Sequence, residues 1–418
     1  MRCADDAADG GEGGGADTPV FRKAGRGALT LVVLLLGLTA ACGGHEGEVP
    51  GVTDSEIVLG QHTPLSGSFA AVYEPIASAQ EAYFDYVNSQ GGVCGRRIDL
   101  RVEDDFYDPA RALDATKKLV ERDKVLAIVG GLGTASHSAV YEYLNENEVP
   151  DLFVSSGARK WGSDPERFPY TIGFIIDYTS EGAIIGKYIS AHFPGQKVGV
   201  LYQNDDFGRD GLAGLKAALD PQKNELVSQQ SYESSDTDVR SQALNLRNAG
   251  AEVVVAYSLP GFSAQLISGA NRMGWEPQVI LSYVNTDPVM FEYVPPEVME
   301  GVLATGYLIP PNRTADPAIA RHRQIMADHG GPQPSNYSLY GQALAETVVK
   351  VLSDTCGDLS RESLVRAAES LRGFHPSVLL EGIDVNLSPS DHYAVQALQM
   401  HRAVSGRWEP FGDIVSLD

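Results

Sequence analysis

The run GTASHSAVYEYL, residues 133–144, follows the apolar stretch AIVGG at 127–131 almost without a break. A buried strand that turns at once into a helix leaves the first helical amides without internal partners. Such a terminus attracts an anion. Thr134 and Ser136 place hydroxyls beside those amides. Two roles are open to them, a hydrogen bond to an anionic ligand or a plain N-cap. A second polar turn, SSGARK at 155–160, follows the apolar PDLFV. Arg159 there can form a bidentate pair with an acid group, or swing outward as a surface residue.

Other chemistries find no support. GxGxxG with its later acidic residue is absent, as are GxxxxGK[ST] and GxSxG. The nine histidines form no HExxH or HxH cluster, so neither a metal nor a cofactor is expected. Lys plus Arg number 32 against 55 Asp plus Glu, a formal net charge of -23. That balance disfavours nucleic acid, which calls for a concentrated basic face.

The elements that must position the two polar turns alternate along the chain. EIVLGQHTPL, RRIDLRVEDD, VLAIVGG, PDLFVSS, QKVGVLYQND and EVVVAYS read as strands. YEPIASAQEAYFDYVNSQGG, PARALDATKKLVERD, GRDGLAGLKAALD and DTDVRSQALNLRNAG read as helices between them. Nearly unbroken apolar strands separated by helices indicate parallel sheets covered on both faces. The rhythm breaks at YTIGFIIDYTSEG, near 170–180, where the chain crosses to a second sheet. After a long helix in PSNYSLYGQALAETVVKVLSDTC, the last segment reads as short, mostly antiparallel strands. The fold class expected is α/β, two doubly wound parallel-sheet lobes joined by a hinge.

Before these elements stands ALTLVVLLLG, preceded by Arg22, Lys23 and Arg26 and followed by LTAAC. A basic region, an apolar core and small residues form an export signal. Roughly 14 residues at ~1.5 Å each fall short of a ~30 Å hydrocarbon core, so this is not a retained span. LTAAC resembles the lipobox of bacterial lipoproteins, which implies an acylated Cys42 as first residue and residues 1–41 as leader. Acyl chains on Cys42 would hold a polar body at the membrane face. In an exported chain, Cys94 and Cys356 suggest one disulfide, two free thiols being the alternative.

TPLSGSFAA, GGVCGRRIDLRVEDDFYDPARALDATKKLV and AIVGGLGTASHSAVYEYLNENEVPDLFVSSGA resemble the first lobe of the leucine-binding family of type 1 periplasmic binding proteins. VGVLYQNDDFGRDGLAGLKAAL resembles the start of its second lobe. The resemblance implies solute-binding subunits of ATP-driven importers, with a membrane permease and its ATPase as partners and a small-molecule solute as cargo. It places the ligand's carboxylate on Gly133, Thr134 and Ala135, and a second contact loop on Ser155, Ser156, Gly157 and Ala158. Arg159 stands where amino-acid-binding members usually have Thr. Phe207 matches the aromatic that lies against the ligand, and Tyr73, Tyr257 and Tyr283 are further pocket candidates. The acidic acceptor for an ammonium group is missing beside Tyr283, and Asp287 comes four residues later.

The same resemblance implies a first lobe of 54–176 plus about 287–391, and a second of about 177–286 plus about 392–418. The expectation is an extracytoplasmic, lipid-anchored binder of an amino acid or related small carboxylate or amide, not an enzyme. A sensory receptor of the same fold and a doubly wound enzyme are the alternatives. If Cys42 carries the anchor, Cys42→Ala moves the protein from the membrane to the soluble fraction on cell fractionation. Unchanged, detergent-dependent membrane association in that variant contradicts the anchor.

Overall fold

A computed structural model describes residues 49–417. Cys42 and the leader therefore lie outside the described residues. Among those described, no helix is long and apolar enough to cross a membrane.

Five strands form the first sheet: β1 (Glu56–Thr63), β2 (Arg97–Asp104), β3 (Ala127–Val129), β4 (Asp151–Val154) and β5 (Thr171–Gly173). Their order is β2-β1-β3-β4-β5, and every pair is parallel. The second sheet holds β6 (Lys197–Gln203), β7 (Glu225–Tyr232), β8 (Val253–Tyr257), β9 (Gln278–Leu281), β10 (Leu303–Gly306), β11 (Ala397–Val404) and β12 (Arg407–Ser416). Its order is β12-β11-β10-β9-β8-β6-β7, with β6 to β10 parallel and the last two strands antiparallel. The central strands β3, β4 and β8 are buried at every position. That is why they read as continuous apolar runs.

The first crossing falls after β5, within the segment expected from the sequence. The second differs from expectation. Residues from about 287 were assigned to the first lobe, but β10 pairs in parallel with β9, Leu303 opposite Ile280, so the second sheet extends to Gly306. GVLATGY sits in a loop-rich stretch and is too short to show a strand period, which hid it. The chain then returns: helix Asn336–Asp354 packs against helix Ala70–Ser89 of the first lobe. Tyr393 bridges Gly173, and β11 and β12 complete the second sheet. Three strands of chain thus join the lobes, and the polar turns leave the carboxyl ends of parallel strands, where open α/β sheets bind ligands.

Cys94 and Cys356 form a disulfide, with Cα atoms 5.2 Å apart and a sequence separation of 262. It ties the turn before β2 to the end of helix Asn336–Asp354, the segment that returns from the second lobe. Closing so long a loop restricts the unfolded chain, an effect of typically ~2–4 kcal/mol. The double variant Cys94→Ser, Cys356→Ser is expected to lose about that much in a denaturant titration. A midpoint unchanged from wild type contradicts it.

Candidate functional site

Between the lobes lies a cavity walled by seven tyrosines, Tyr73, Tyr107, Tyr178, Tyr283, Tyr307, Tyr337 and Tyr340, with Phe207. The space open to water centres is about 70 Å³. At ~10–15 Å³ per water, that takes a handful of waters or one small molecule. Asp287 is the one charged side chain on its wall among the described residues.

The polar end is built by the turn after β3. Gly133 has φ 97°, and a Cβ there would lie 2.7 Å from the Tyr107 ring. Only glycine lets that ring close the floor. Thr134 begins a helix of four residues, Thr134–His137, shorter than the continuous helix expected from GTASHSAVYEYL. After His137 the chain tightens, the Ala139 and Val140 amides donating to the carbonyls three residues back, Ser136 and His137. The Thr134 hydroxyl caps nothing; it meets Ser156 Oγ at 2.7 Å. No acceptor among the described residues takes the N–H groups of Thr134 and Ala135. With so short a helix, these local amides rather than a macrodipole present positive charge.

From the other lobe, Asp205 caps helix Asp206–Ala218 through the Phe207 amide (3.0 Å), which turns the Phe207 ring into the cavity. That ring lies 4.6 Å from Tyr178 and edge-on to Tyr257 at 6.4 Å. Tyr283 stacks over Tyr178 at 5.8 Å, and its hydroxyl donates to the Ile176 carbonyl at 3.0 Å. Tyr337 donates to the Val284 carbonyl (3.0 Å) and Tyr340 to Ser155 Oγ (2.9 Å). Tyr283, Tyr337 and Tyr340 thus spend their hydroxyl protons on protein acceptors.

Of the residues singled out from the sequence, Tyr73, Gly133, Thr134, Ser155, Phe207 and Tyr283 line the cavity. Ala135 stands beside it with its free amide. Ser156 and Ala158 are buried behind the wall, and Tyr257 supports Phe207 from the second row. Gly157 does not face the cavity: a Cβ there would lie 2.3 Å from the Tyr283 hydroxyl. Arg159 turns away. Its side chain is exposed and lines a separate surface cleft with Asp177 and Asp391, while its amide donates to Asp210 (2.8 Å). Of the two roles open to Arg159, the geometry fits the outward one and not a grip on an acid in this cavity. Lys160, next along, pairs with Asp206 across the lobes at 2.8 Å.

Sequence reasoning missed Tyr107, Tyr178, Tyr307, Tyr337 and Tyr340. The structure, not the sequence, marks Tyr107: Phe106 and Tyr107 in DDFYDP both adopt φ 59°. Consecutive non-glycine residues in that region mark a constrained site.

The periplasmic binding protein family profile matches residues 56–407. The chain belongs to this family. An "Amino acid binding protein" of Pseudomonas aeruginosa is 26% identical over 327 residues, 76% of this chain and 82% of that protein. Two solved structures share the fold. One is a branched chain amino acid ABC transporter protein from Thermus thermophilus with bound valine, TM-score 0.79 and 20% identity, covering 87% of this chain and 97% of that one. The other is a fatty acid ABC transporter substrate-binding protein from Thermomonospora curvata, TM-score 0.76 and 25% identity, covering 88% and 95%. The family binds solutes and is not catalytic.

Two carboxylates shape the second lobe of this periplasmic binding protein. Glu181, fully buried, accepts from Ser282 Oγ and the Tyr283 amide, both at 2.8 Å, and from the Thr305 hydroxyl. It thereby fixes the backbone of Tyr283. Burial raises its carboxyl from 4.5 to about 7, those hydrogen bonds opposing the rise. Burial likewise raises Asp287 to about 6, against the amides of Val289 and Tyr337. A raised folded-state value means stability is fully present below the unfolded value and lost as pH climbs through the folded one. The Glu181 contribution should thus fade between about 4.5 and about 7. Going from pH about 5 to about 8, the stability difference between Glu181→Gln and wild type is expected to move in the variant's favour. A difference independent of pH in thermal melts refutes the raised proton affinity.

Proposed function

We propose that this protein is the extracytoplasmic solute-binding component of an ABC importer, held at the membrane through Cys42. Its ligand is an amino acid or a related small carboxylate or amide. The observation that carries the ligand class is the pair of unpartnered amides at Thr134 and Ala135, set against a small aromatic cavity. A carboxylate or amide oxygen satisfies those donors, which are costly to leave bare when buried. Asp287 on the same wall suits an amino group. Cavity size supports a compact solute over a long acyl chain, though relatives of both kinds exist. Cargo would pass to a permease and its ATPase.

Calorimetric titration with L-valine as first probe, then other small amino acids and their amides, tests the site through three variants. Thr134→Ala should lose about 1.5–3 kcal/mol, roughly ten- to a hundred-fold in affinity. Phe207→Ala should lose a similar or larger amount, because a whole wall goes. Arg159→Ala should stay within ~0.5 kcal/mol of wild type for acids and amides alike. Wild-type affinity in both Thr134→Ala and Phe207→Ala moves the site elsewhere.

A further inference from the structure

Behind the polar end of the cavity, four ionisable side chains lie in one line. Asp105 Oδ2 is 2.7 Å from His62 Nδ1, His62 Nε2 is 2.8 Å from His137 Nδ1, and His137 Nε2 is 2.8 Å from Asp151 Oδ2. All four are fully buried. They come from β1, the turn after β2, the turn after β3, and β4. The ring planes differ by 14° with centroids 5.1 Å apart, so the rings meet edge to edge with the nitrogens in line.

Counting protons decides what this chain must hold. Thr171 Oγ1 accepts from Asn145 Nδ2 (2.7 Å) and so gives its own proton to Asp151 Oδ2 (3.0 Å). That oxygen is therefore an acceptor, and His137 Nε2 donates to it as well. An ionised carboxylate only accepts, and a neutral imidazole carries one N–H. Two carboxylates and two neutral rings thus supply two protons for three hydrogen bonds. Without a third, two nitrogen lone pairs would face each other across 2.8 Å.

We infer that the buried chain Asp105–His62–His137–Asp151 retains one extra proton, and that this shared proton fixes both loops at the polar end of the cavity. The four are positioning residues. His137 closes the turn that starts at Thr134. Asp105 uses its other oxygen to accept the Tyr107 amide at 2.8 Å, holding Tyr107 at φ 59° with its ring against Gly133. Asp105 and Asp151 flank the rings, Lys160 bears on His137 from the turn after β4, and the Trp161 ring meets His137 edge-on at 5.1 Å. Burial takes the His137 imidazolium below its ordinary value despite the opposing Asp151, so the shared proton belongs to the line of four and not to that ring alone. The extra proton brings the line of four from two net negative charges to one, which lowers the cost of burying it.

The test needs no ligand, so its outcome is separate from that of the proposed function. In ¹⁵N-histidine-labelled protein, a nitrogen–nitrogen coupling across one hydrogen bond and a far-downfield imidazole proton are expected. Both should persist unchanged from pH about 6 to about 8, across the range where free histidine titrates. The signal assigns itself, since His62 and His137 are the one histidine pair within hydrogen-bond distance among the described residues. In His62→Gln, the Tyr107 amide should exchange with deuterium at least about ten-fold faster, while amides of β8 keep wild-type protection. Absence of the coupling, or two rings that titrate independently near the ordinary histidine value, overturns the proposal. Wild-type protection of the Tyr107 amide in a folded His62→Gln protein overturns the positioning role.

Discussion

The contact on which the site depends is the hydrogen bond from the Tyr283 hydroxyl to the Ile176 carbonyl, made over Gly157. It brings a second-lobe aromatic onto the backbone of the first lobe at the hinge. Any side chain at position 157 would occupy the volume of that hydroxyl. Glu181 fixes the backbone behind Tyr283, and Tyr178, whose amide donates to the Gly157 carbonyl at 2.7 Å, supplies the stacked partner. Further links across the lobes, Lys160 to Asp206 and Arg159 N–H to Asp210, lie around this one. The lobes therefore meet through specific short contacts, and the cavity exists only where they meet.

Within that cavity the division of labour follows from hydrogen-bond supply. Tyrosine is amphipathic, and several of these rings send the hydroxyl to a protein acceptor and the face inward. Free donors remain at the turn after β3, and a carboxylate remains at Asp287. A solute with an acceptor at one end and a donor at the other satisfies both, with aromatic faces between. Closing over it excludes water and strengthens those polar contacts.

Much of the fold was legible because parallel strands buried on both faces must be apolar throughout, as in AIV and VVVAY, and the helices between them keep their own period. The return point was not legible: β10 is four residues in a turn-rich segment, and its antiparallel neighbour β11 comes from a distant part of the chain. Gly133, Thr134 and Phe207 could be found because the family resemblance marks them, and Thr134 also because a helix start follows a buried strand there. Tyr337 and Tyr340 could not, since helix Asn336–Asp354 is buried along most of its length and nothing local tells a cavity tyrosine from a core one. Arg159 stayed open between two roles, because nothing local tells an inward arginine from an outward one; a neighbouring lysine makes the interlobe pair and the arginine side chain stays in solvent. The line from Asp105 to Asp151 joins residues from four separate elements, so no sequence spacing announces it.

The central claim is that the closed cavity carries one compact solute bearing a carboxylate or amide. Mass spectrometry of the small molecule released from protein purified gently from its own cells tests this most directly. The account predicts a single species of amino-acid size with a carboxylate or amide oxygen for the turn at Thr134. A long-chain acyl compound, or a solute with no such oxygen, would contradict it.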